Sequence, residues 1–571
     1  MLEFVPPGHV IGSGRASICA FVSPMKDTTQ LIAHRLLRHH AVLALALALI
    51  MTGVSWRWNT RAASGSDAYG YVSEAELWLR GDLQIDQRFA RQVPWPDGDY
   101  SFTPLGYRPT ADGNHIVPTY PPGLPLIMAA AKAVGGQCAL YWVVPIMAGV
   151  LVFGTYAIGR QMGRPIVGVA AAWLVATSPA VLFMSMWPMS DVPAAATWAV
   201  AVAFLISETG WTAAAAGVTA CLAVLVRPNL VPLAAILVAW IGWRDVTTAR
   251  SRDWRRVCTP WFALGALIGM IAVMIIFAKL YGSPFRSGYG DLSDSFAMRW
   301  VPRNFRNYRD WLMSTETPLA ALGLISLGLP FARVWTTRQA RHALWLVASC
   351  AAIVWASYLA YQTWDAWWYL RFLLPSWPMM AIGSASVLAA CYRVSTRWTR
   401  AIAVVTLVLV GAHGVRTAIQ RNVFDLARQE AVYVEAARAV EAFAGPDDVI
   451  FSQQFSGSIR YYSGRLTFRY NYLDPEWLDR AVQWFNERGH HAYFLLTAEE
   501  VWAVRREYAS KSRLARLDWT PLMLLRGGEV RLFDTVPRYL TTDPPSFPPT
   551  LQARCQRPKP NPTLRTMADT R

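Results

Sequence analysis

From about residue 36 onward the chain is a succession of apolar runs separated by short loops rich in arginine. The runs fall near residues 36–57, 139–158, 166–186, 192–208, 212–226, 229–243, 260–280, 318–335, 342–361, 370–392 and 401–418. They predict about eleven membrane-spanning helices, several of them short for a bilayer core of about 30 Å. The first run continues into WRWN without a small-residue cleavage site, so it is expected to stay as an anchor rather than leave as a signal peptide.

Lysines and arginines cluster in alternate loops: Lys26, Arg35 and Arg38; Arg160 and Arg164; Arg244 through Arg256; Arg333, Arg338 and Arg341; Arg393, Arg397 and Arg400. Placing all of these on the cytoplasmic side closes the alternation without contradiction. It also requires that PPGLPLIMAAAKAVGG, residues 121–136, does not cross, because a crossing there would turn every later basic loop outward. That segment is therefore expected to lie in the outer interface. Asp67, Asp191, Arg227, the 282–317 loop and the WDAWWYLRF segment then share the outer, exoplasmic or periplasmic, side.

The pattern changes after residue 420. DDVIFSQQ and HAYFLL read as short buried strands, and PEWLDRAVQWFNERG and AEEVWAVRREYASKS as amphipathic helices. The expected architecture is mostly α: a cytoplasmic segment over 1–35, a transmembrane bundle over 36–418 with an outer loop at 59–138, a small exoplasmic α/β domain over 420–536, and a disordered proline-rich tail over 537–571. The expected location is the inner (plasma) membrane.

Composition agrees with a membrane class: 54% of the 571 residues are hydrophobic and 16% charged, with a mean hydropathy of +0.24. The net charge of +17 comes from the loop arginines, which orient helices and meet anionic lipid, and does not indicate nucleic acid. The seven cysteines show neither a disulfide framework nor metal-ligand spacing. Cys221, Cys350 and Cys391 lie in or beside apolar runs, which points to burial.

Candidate chemistry gathers at the outer ends of the runs. In SDAYGYVSEAELWLRGDL, Ala68, Tyr71, Val72, Ala75 and Leu79 share one helical face, while Glu74 and Asp82 fall away from it. Asp67 stands at the start of this helix, where a carboxylate could simply cap free N–H groups. A second lone acid, Asp191 in SMWPMSDVP, lies at the same level, and acids at membrane depth are costly enough to imply function. Together they form a candidate acid/base pair. Arg227 in VLVRPNLVP, Arg371 in WWYLRFLLPSWP and Lys132 supply cations suited to a leaving phosphate. Trp367 and Tyr369 belong to an aromatic cluster that serves either as an interfacial belt or as a sugar platform.

Taken together, SDAYGYVSEAELWLRGDL, YPPGLPL, SDVP, RPN and YLRFLLPSWP resemble the GT-C superfamily of membrane glycosyltransferases, in the subgroup of protein O-mannosyltransferases and lipid A aminoarabinose transferases, over roughly residues 36–418. The resemblance implies transfer of a sugar, with inversion, from a polyprenyl-phosphate-sugar donor to a hydroxyl of a glycan, lipid or protein acceptor on the outer face. The family's first-loop catalytic Asp falls on Asp67 and its second-loop acid on Asp191. Its Pro-Pro segment falls on Pro121 and Pro122, and Tyr71, Glu74, Tyr120, Trp367 and Tyr369 are expected to line the substrate. Many relatives carry Asp-Glu where this chain has Asp67-Ala68, and some carry Lys or Glu where it has Thr119 and Tyr120. A divalent metal taken from those relatives is therefore unsupported by the sequence, and no cofactor is assigned. A flippase of a polyprenyl-linked glycolipid and a non-catalytic assembly subunit are the competing classes.

Overall fold

The computed structural model describes residues 39–207, 209–248, 258–394, 396–536 and 555–559. The proposed cytoplasmic segment 1–35, the basic residues of 249–257 and most of the proline-rich tail lie outside the described residues.

The chain is a multi-pass membrane protein. Seven described helices are long and apolar enough to cross a bilayer: His40–Trp58, Gly123–Met162, Pro228–Thr247, Thr259–Tyr281, Arg338–Leu359, Trp367–Arg393 and Arg397–Gln420. The pair Pro165–Ala176 and Pro179–Ser185, bent by 64°, makes an eighth if it is one span. The other three apolar runs form the shorter helices Asp191–Ile206, Gly210–Val226 and Pro318–Leu327. Every run is thus helical: seven, or eight with the bent pair, are long and apolar enough to cross a bilayer by themselves, and three are shorter apolar helices packed among them. The run at 318–335 stops helically at Leu327, and ten residues reach only about 15 Å.

Residues 123–162 are one continuous stretch broken at Gly136, whose φ of 73° no helix tolerates. The Pro-Pro segment therefore begins a separate arm before the bundle helix proper. Cross-links at one end of the bundle bring together the outer segments grouped from the sequence: Asp67 with Arg371, Asp191 with Arg227, and Arg303 with Asp365. At a basic loop cluster, Arg393 donates to the Arg333 carbonyl at 3.0 Å.

The 59–138 segment holds an antiparallel sheet of β1 (Ile85–Asp86), β2 (Tyr107–Pro109) and β3 (His115–Pro118), in the order β1-β3-β2. After the bundle come β4 (Val449–Phe451), β5 (Leu466–Phe468), β6 (Ala492–Thr497), β7 (Met523–Leu525) and β8 (Val530–Asp534), in the order β5-β4-β6-β8-β7. β4 runs parallel to β5 and β6, and β8 antiparallel to β6 and β7. The continuous apolar run of β4 reflects burial on both faces, as central parallel strands require. Helices flank this sheet, so the domain is α/β as expected.

The 59–138 segment and this domain are not separate units of packing. Trp95 and Phe102 from the loop are buried in the same core as Phe451, Phe468, Phe485 and Phe494. Phe102 meets the Phe468 ring edge-on at 5.2 Å. The two sequence segments fold around one apolar centre because neither alone encloses it.

One expectation about cysteines is overturned. Cys138 and Cys555 form a disulfide across 417 residues of sequence. Cys555–Lys559 of the tail is held down by it, and the Lys559 N–H donates to the Tyr461 carbonyl at 3.0 Å. Cys258 and Cys350 are buried thiols, Cys221 is partly so, and Cys391 is exposed rather than buried.

Candidate active site

Both candidate acids stand at the first position of a helix, Asp67 in Asp67–Arg80 and Asp191 in Asp191–Ile206, after the N-cap residues Ser66 and Ser190. The positive end of each helix dipole favours a carboxylate there. Neither acid is spent on capping. Asp67 accepts the Tyr120 hydroxyl at 2.6 Å through Oδ1 and meets Arg371 Nη1 at 3.0 Å through Oδ2. Asp191 meets Arg227 Nη2 at 2.7 Å.

The two ion pairs join in one network. Arg227 also donates to Ser190 Oγ at 3.1 Å, and Ser190 shares a 2.7 Å hydrogen bond with the Tyr71 hydroxyl. The Tyr71 ring lies 4.6 Å from that of Tyr120, which completes the circuit back to Asp67. Both guanidiniums lie over the Phe372 ring, Arg371 at 5.1 Å and Arg227 at 5.9 Å. Arg371 also covers the Tyr369 ring and reaches Met189 Sδ. Tyr358 takes the Asn229 amide at 3.0 Å and stacks on Phe372.

Local sequence makes this approach feasible. Gly70 lies one turn from Asp67, and a Cβ there would stand 2.1 Å from the Tyr120 ring. Only glycine lets Tyr120 lie across the helix and reach the carboxylate. Pro122 then caps the Gly123–Met162 stretch and sets the direction in which the chain leaves Tyr120.

Accessibility separates the two pairs. Side-chain exposure is 32% for Asp67 and 14% for Arg371, against 1% for Asp191 and 11% for Arg227. Asp67 is the more accessible of the two carboxylates, and Asp191 is the buried partner of an arginine. Among the described residues Arg371 Nε is buried without a hydrogen-bond partner, on the guanidinium beside Asp67. Burial and the adjacent Asp67 carboxylate hold the Tyr120 phenol well above its ordinary range, so it stays protonated and donates.

The structure thus brings together Asp67, Tyr71, Tyr120, Asp191, Arg227, Tyr369 and Arg371, with Pro121 and Pro122 adjoining Tyr120. It engages three other candidates elsewhere. Lys132 pairs with Glu76 at 2.5 Å, farther along the helix, because Glu76 is the near, largely buried anion that its ammonium can satisfy. Glu74 is buried against Trp78, whose indole N–H donates to it at 3.2 Å, and burial pushes its carboxyl well up. Trp367 packs on Phe183 and under Arg421. Residues not singled out from the sequence complete the site: Ser66, which shares a 2.9 Å hydrogen bond with the Tyr120 hydroxyl, Tyr289, whose ring lies 5.9 Å from that of Tyr120, and Met189, Ser190, Asn229 and Tyr358. Ser190 and Asn229 flank residues that were singled out, in SDVP and RPN; Tyr358, in a run of apolar helix, carried no such signal.

The donors do not suit a divalent metal. Each carboxylate is already matched by a guanidinium, and no group of three or more His, Cys, Asp or Glu is placed to hold an ion among the described residues.

No protein-family model matches the sequence, and no curated protein matches it. Among solved structures, the chain is similar to an oligosaccharyltransferase from Archaeoglobus fulgidus tethered with an acceptor peptide, with a TM-score of 0.50 and 13% identity, covering 84% of this chain and 72% of that one. ArnT from Cupriavidus metallidurans aligns with TM-scores of 0.48 in the apo state and 0.49 bound to undecaprenyl phosphate. Those alignments have 13% and 12% identity, each covers 87% of this chain, and they cover 97% and 98% of that one. The likeness to the oligosaccharyltransferase is one of fold.

Proposed function

We propose that this chain is a glycosyltransferase that moves a sugar from a polyprenyl-phosphate-sugar to an acceptor hydroxyl at the outer face of the inner membrane, with inversion at C1. The observation that carries the reading is the pairing of one partly exposed carboxylate, Asp67, with an arginine, Arg371, beside a second, buried pair. A shared fold with an oligosaccharyltransferase supports transfer of a sugar, rather than passage of the lipid, as the role of this end of the bundle.

In this mechanism the donor phosphate takes Arg371 away from Asp67 and is bound by its planar fork. Asp67 Oδ2, released from the guanidinium, accepts the proton of the acceptor hydroxyl. The oxygen attacks C1 from the face opposite the phosphate, and the C1–O bond breaks with its electron pair passing to the leaving phosphate. Tyr120 keeps its hydrogen bond to Oδ1 and aims the carboxylate. Arg227 adds charge to the cradle, while Asp191 holds it in place and compensates it. Tyr71, Tyr120 and Tyr369 line the sugar. Lys132, Glu74 and Trp367 have no part in this scheme.

The disulfide supports the outer orientation independently of loop charge. Disulfides persist in oxidising compartments, and Cys138–Cys555 ties the α/β domain's tail to the helix that follows the Pro-Pro arm. The test is an assay of purified protein in membranes with labelled polyprenyl-phosphate hexoses and pentoses, followed by mass analysis of the product and its anomeric configuration. A transferred sugar with inverted configuration is expected. Donor binding without any transferred sugar across protein, lipid and glycan acceptors would overturn the reading.

A further inference from the structure

The α/β domain touches the chain on both sides of Asp67. The Tyr462 hydroxyl accepts the Ala63 N–H at 2.7 Å, fixing the turn that leads into the helix. A Cβ on Gly457 would stand 2.2 Å from the ring of Tyr69, so that ring is seated against the start of Ser456–Ser463 with no room to spare. Tyr461 crosses the Tyr69 ring edge-on at 6.5 Å and donates to Glu76 at 3.2 Å, so its contacts span about two turns of one helix. From the outer loop, the Leu105 N–H donates to Ser456 Oγ at 3.1 Å. These contacts come from one short helix, Ser456–Ser463, whose residues are all buried.

We infer that the Ser456–Ser463 helix is a positioning element for Asp67: Tyr462 and Gly457 set the turn and the helix phase that aim the carboxylate at the acceptor hydroxyl. The inference rests on the proposed transfer reaction for its kinetic consequence, though not for its structural one. Asp67 is only 32% exposed at its side chain and is held by two partners. A small rotation of its helix therefore changes which oxygen faces the substrate. Packing by a domain 390 residues later in the sequence supplies what the first helical turn lacks, since Ser66 makes no side-chain cap there. The tail strengthens the hold, because Lys559 bonds the Tyr461 backbone and Cys555 anchors that strap to Cys138.

The test compares Tyr462→Phe, which removes one hydroxyl, and Gly457→Ala, which adds one methyl against Tyr69, with Trp519→Phe. The last removes the indole bond to the Asp534 carbonyl elsewhere in the same domain. Both junction variants should lower kcat at least about tenfold with donor KM within about twofold, because misaiming a base spares donor binding. Trp519→Phe should keep its kcat. Hydrogen exchange of the 61–71 segment reads the positioning directly, whether or not sugar is transferred: it should quicken in Tyr462→Phe and Gly457→Ala and stay unchanged in Trp519→Phe. Unchanged exchange and kcat in both junction variants would overturn the inference, as would equal losses in all three, which mark general destabilisation. Quickened exchange in the two junction variants, together with a wild-type chain that transfers no sugar, would instead leave the junction standing and remove the proposed reaction.

Discussion

Asp67 and Arg371 are 304 residues apart in sequence, yet their charged groups meet at 3.0 Å at one end of the bundle. The pair gives each residue a partner before substrate arrives. Under the proposed reaction it would make donor binding and base release one event, since a phosphate that takes the guanidinium frees the carboxylate.

Asp67→Asn retains the size of the side chain and an acceptor for Tyr120 but loses the base. Donor binding should persist while transfer slows at least about a hundredfold, the usual scale for a lost general base. Rates measured at matched protein levels in membranes decide it. Normal transfer by the Asn variant would show that the proton goes elsewhere, and Asp191 would be tested next.

Arg371→Lys and Arg371→Ala should differ. Lysine keeps the charge but not the fork, so Ala should lose roughly 2–4 kcal/mol of transition-state stabilisation and Lys clearly less. Two variants with wild-type kcat/KM would reduce Arg371 to a partner of Asp67.

The buried pair Asp191–Arg227 should behave as a coupled unit. Removing Asp191 alone leaves a nearly buried guanidinium unpaired, and Asp191→Ala should cost about 3–5 kcal/mol. Replacing both residues by apolar ones should recover much of that loss, as seen by thermal unfolding in detergent. Additive single and double losses would mean that the two are not coupled.

Topology can be read by two routes. A reporter active only in the cytoplasm should be silent when fused at residue 430 and active at residue 250. Alkylation of the unfolded protein should gain two thiols on reduction, and Cys138→Ser should abolish the gain because Cys555 loses its partner. Cytoplasmic activity at both fusion sites, or no gain in thiols, would contradict an outer α/β domain.

Glu316 gives a stability profile with a definite sign. Its carboxyl is buried, accepts the Ser178 hydroxyl at 2.7 Å and is pushed up to about 7, burial being the main cause. Because the folded value is raised, the protonated form stabilises the fold. That contribution is complete below the unfolded value of about 4.5 and is lost as pH rises to about 7, on the order of 3 kcal/mol at most. Thermal unfolding should therefore weaken over that window, and Glu316→Gln should flatten the profile and exceed wild type at pH 8. A profile identical in both proteins would remove Glu316 as its source.

Much of the site was legible because its chemistry is written in exceptions. Asp67, Asp191, Arg227 and Arg371 are charges interrupting apolar sequence at span ends, where desolvation makes an unused charge expensive. The same reasoning misled at Lys132: its charge is equally conspicuous, but its partner Glu76 lies along the helix rather than in the site. Tyr358 and Met189 were invisible because an aromatic or a thioether in an apolar run looks like packing until the fold shows what it faces.

Continuous apolarity by itself determined the helical bundle and every apolar segment in it, since backbone polar groups inside a bilayer must bond within their own helix. Strand and helix periods likewise determined an α/β domain after residue 420. What only the tertiary structure decided is which charges neutralise which, that Trp95 and Phe102 complete a core begun hundreds of residues later, and that Cys138 finds Cys555. Local pattern records the solvent each segment requires. Pairing across the chain depends on which segments close packing brings within a few ångströms, and no period of 2 or 3.6 residues carries that information.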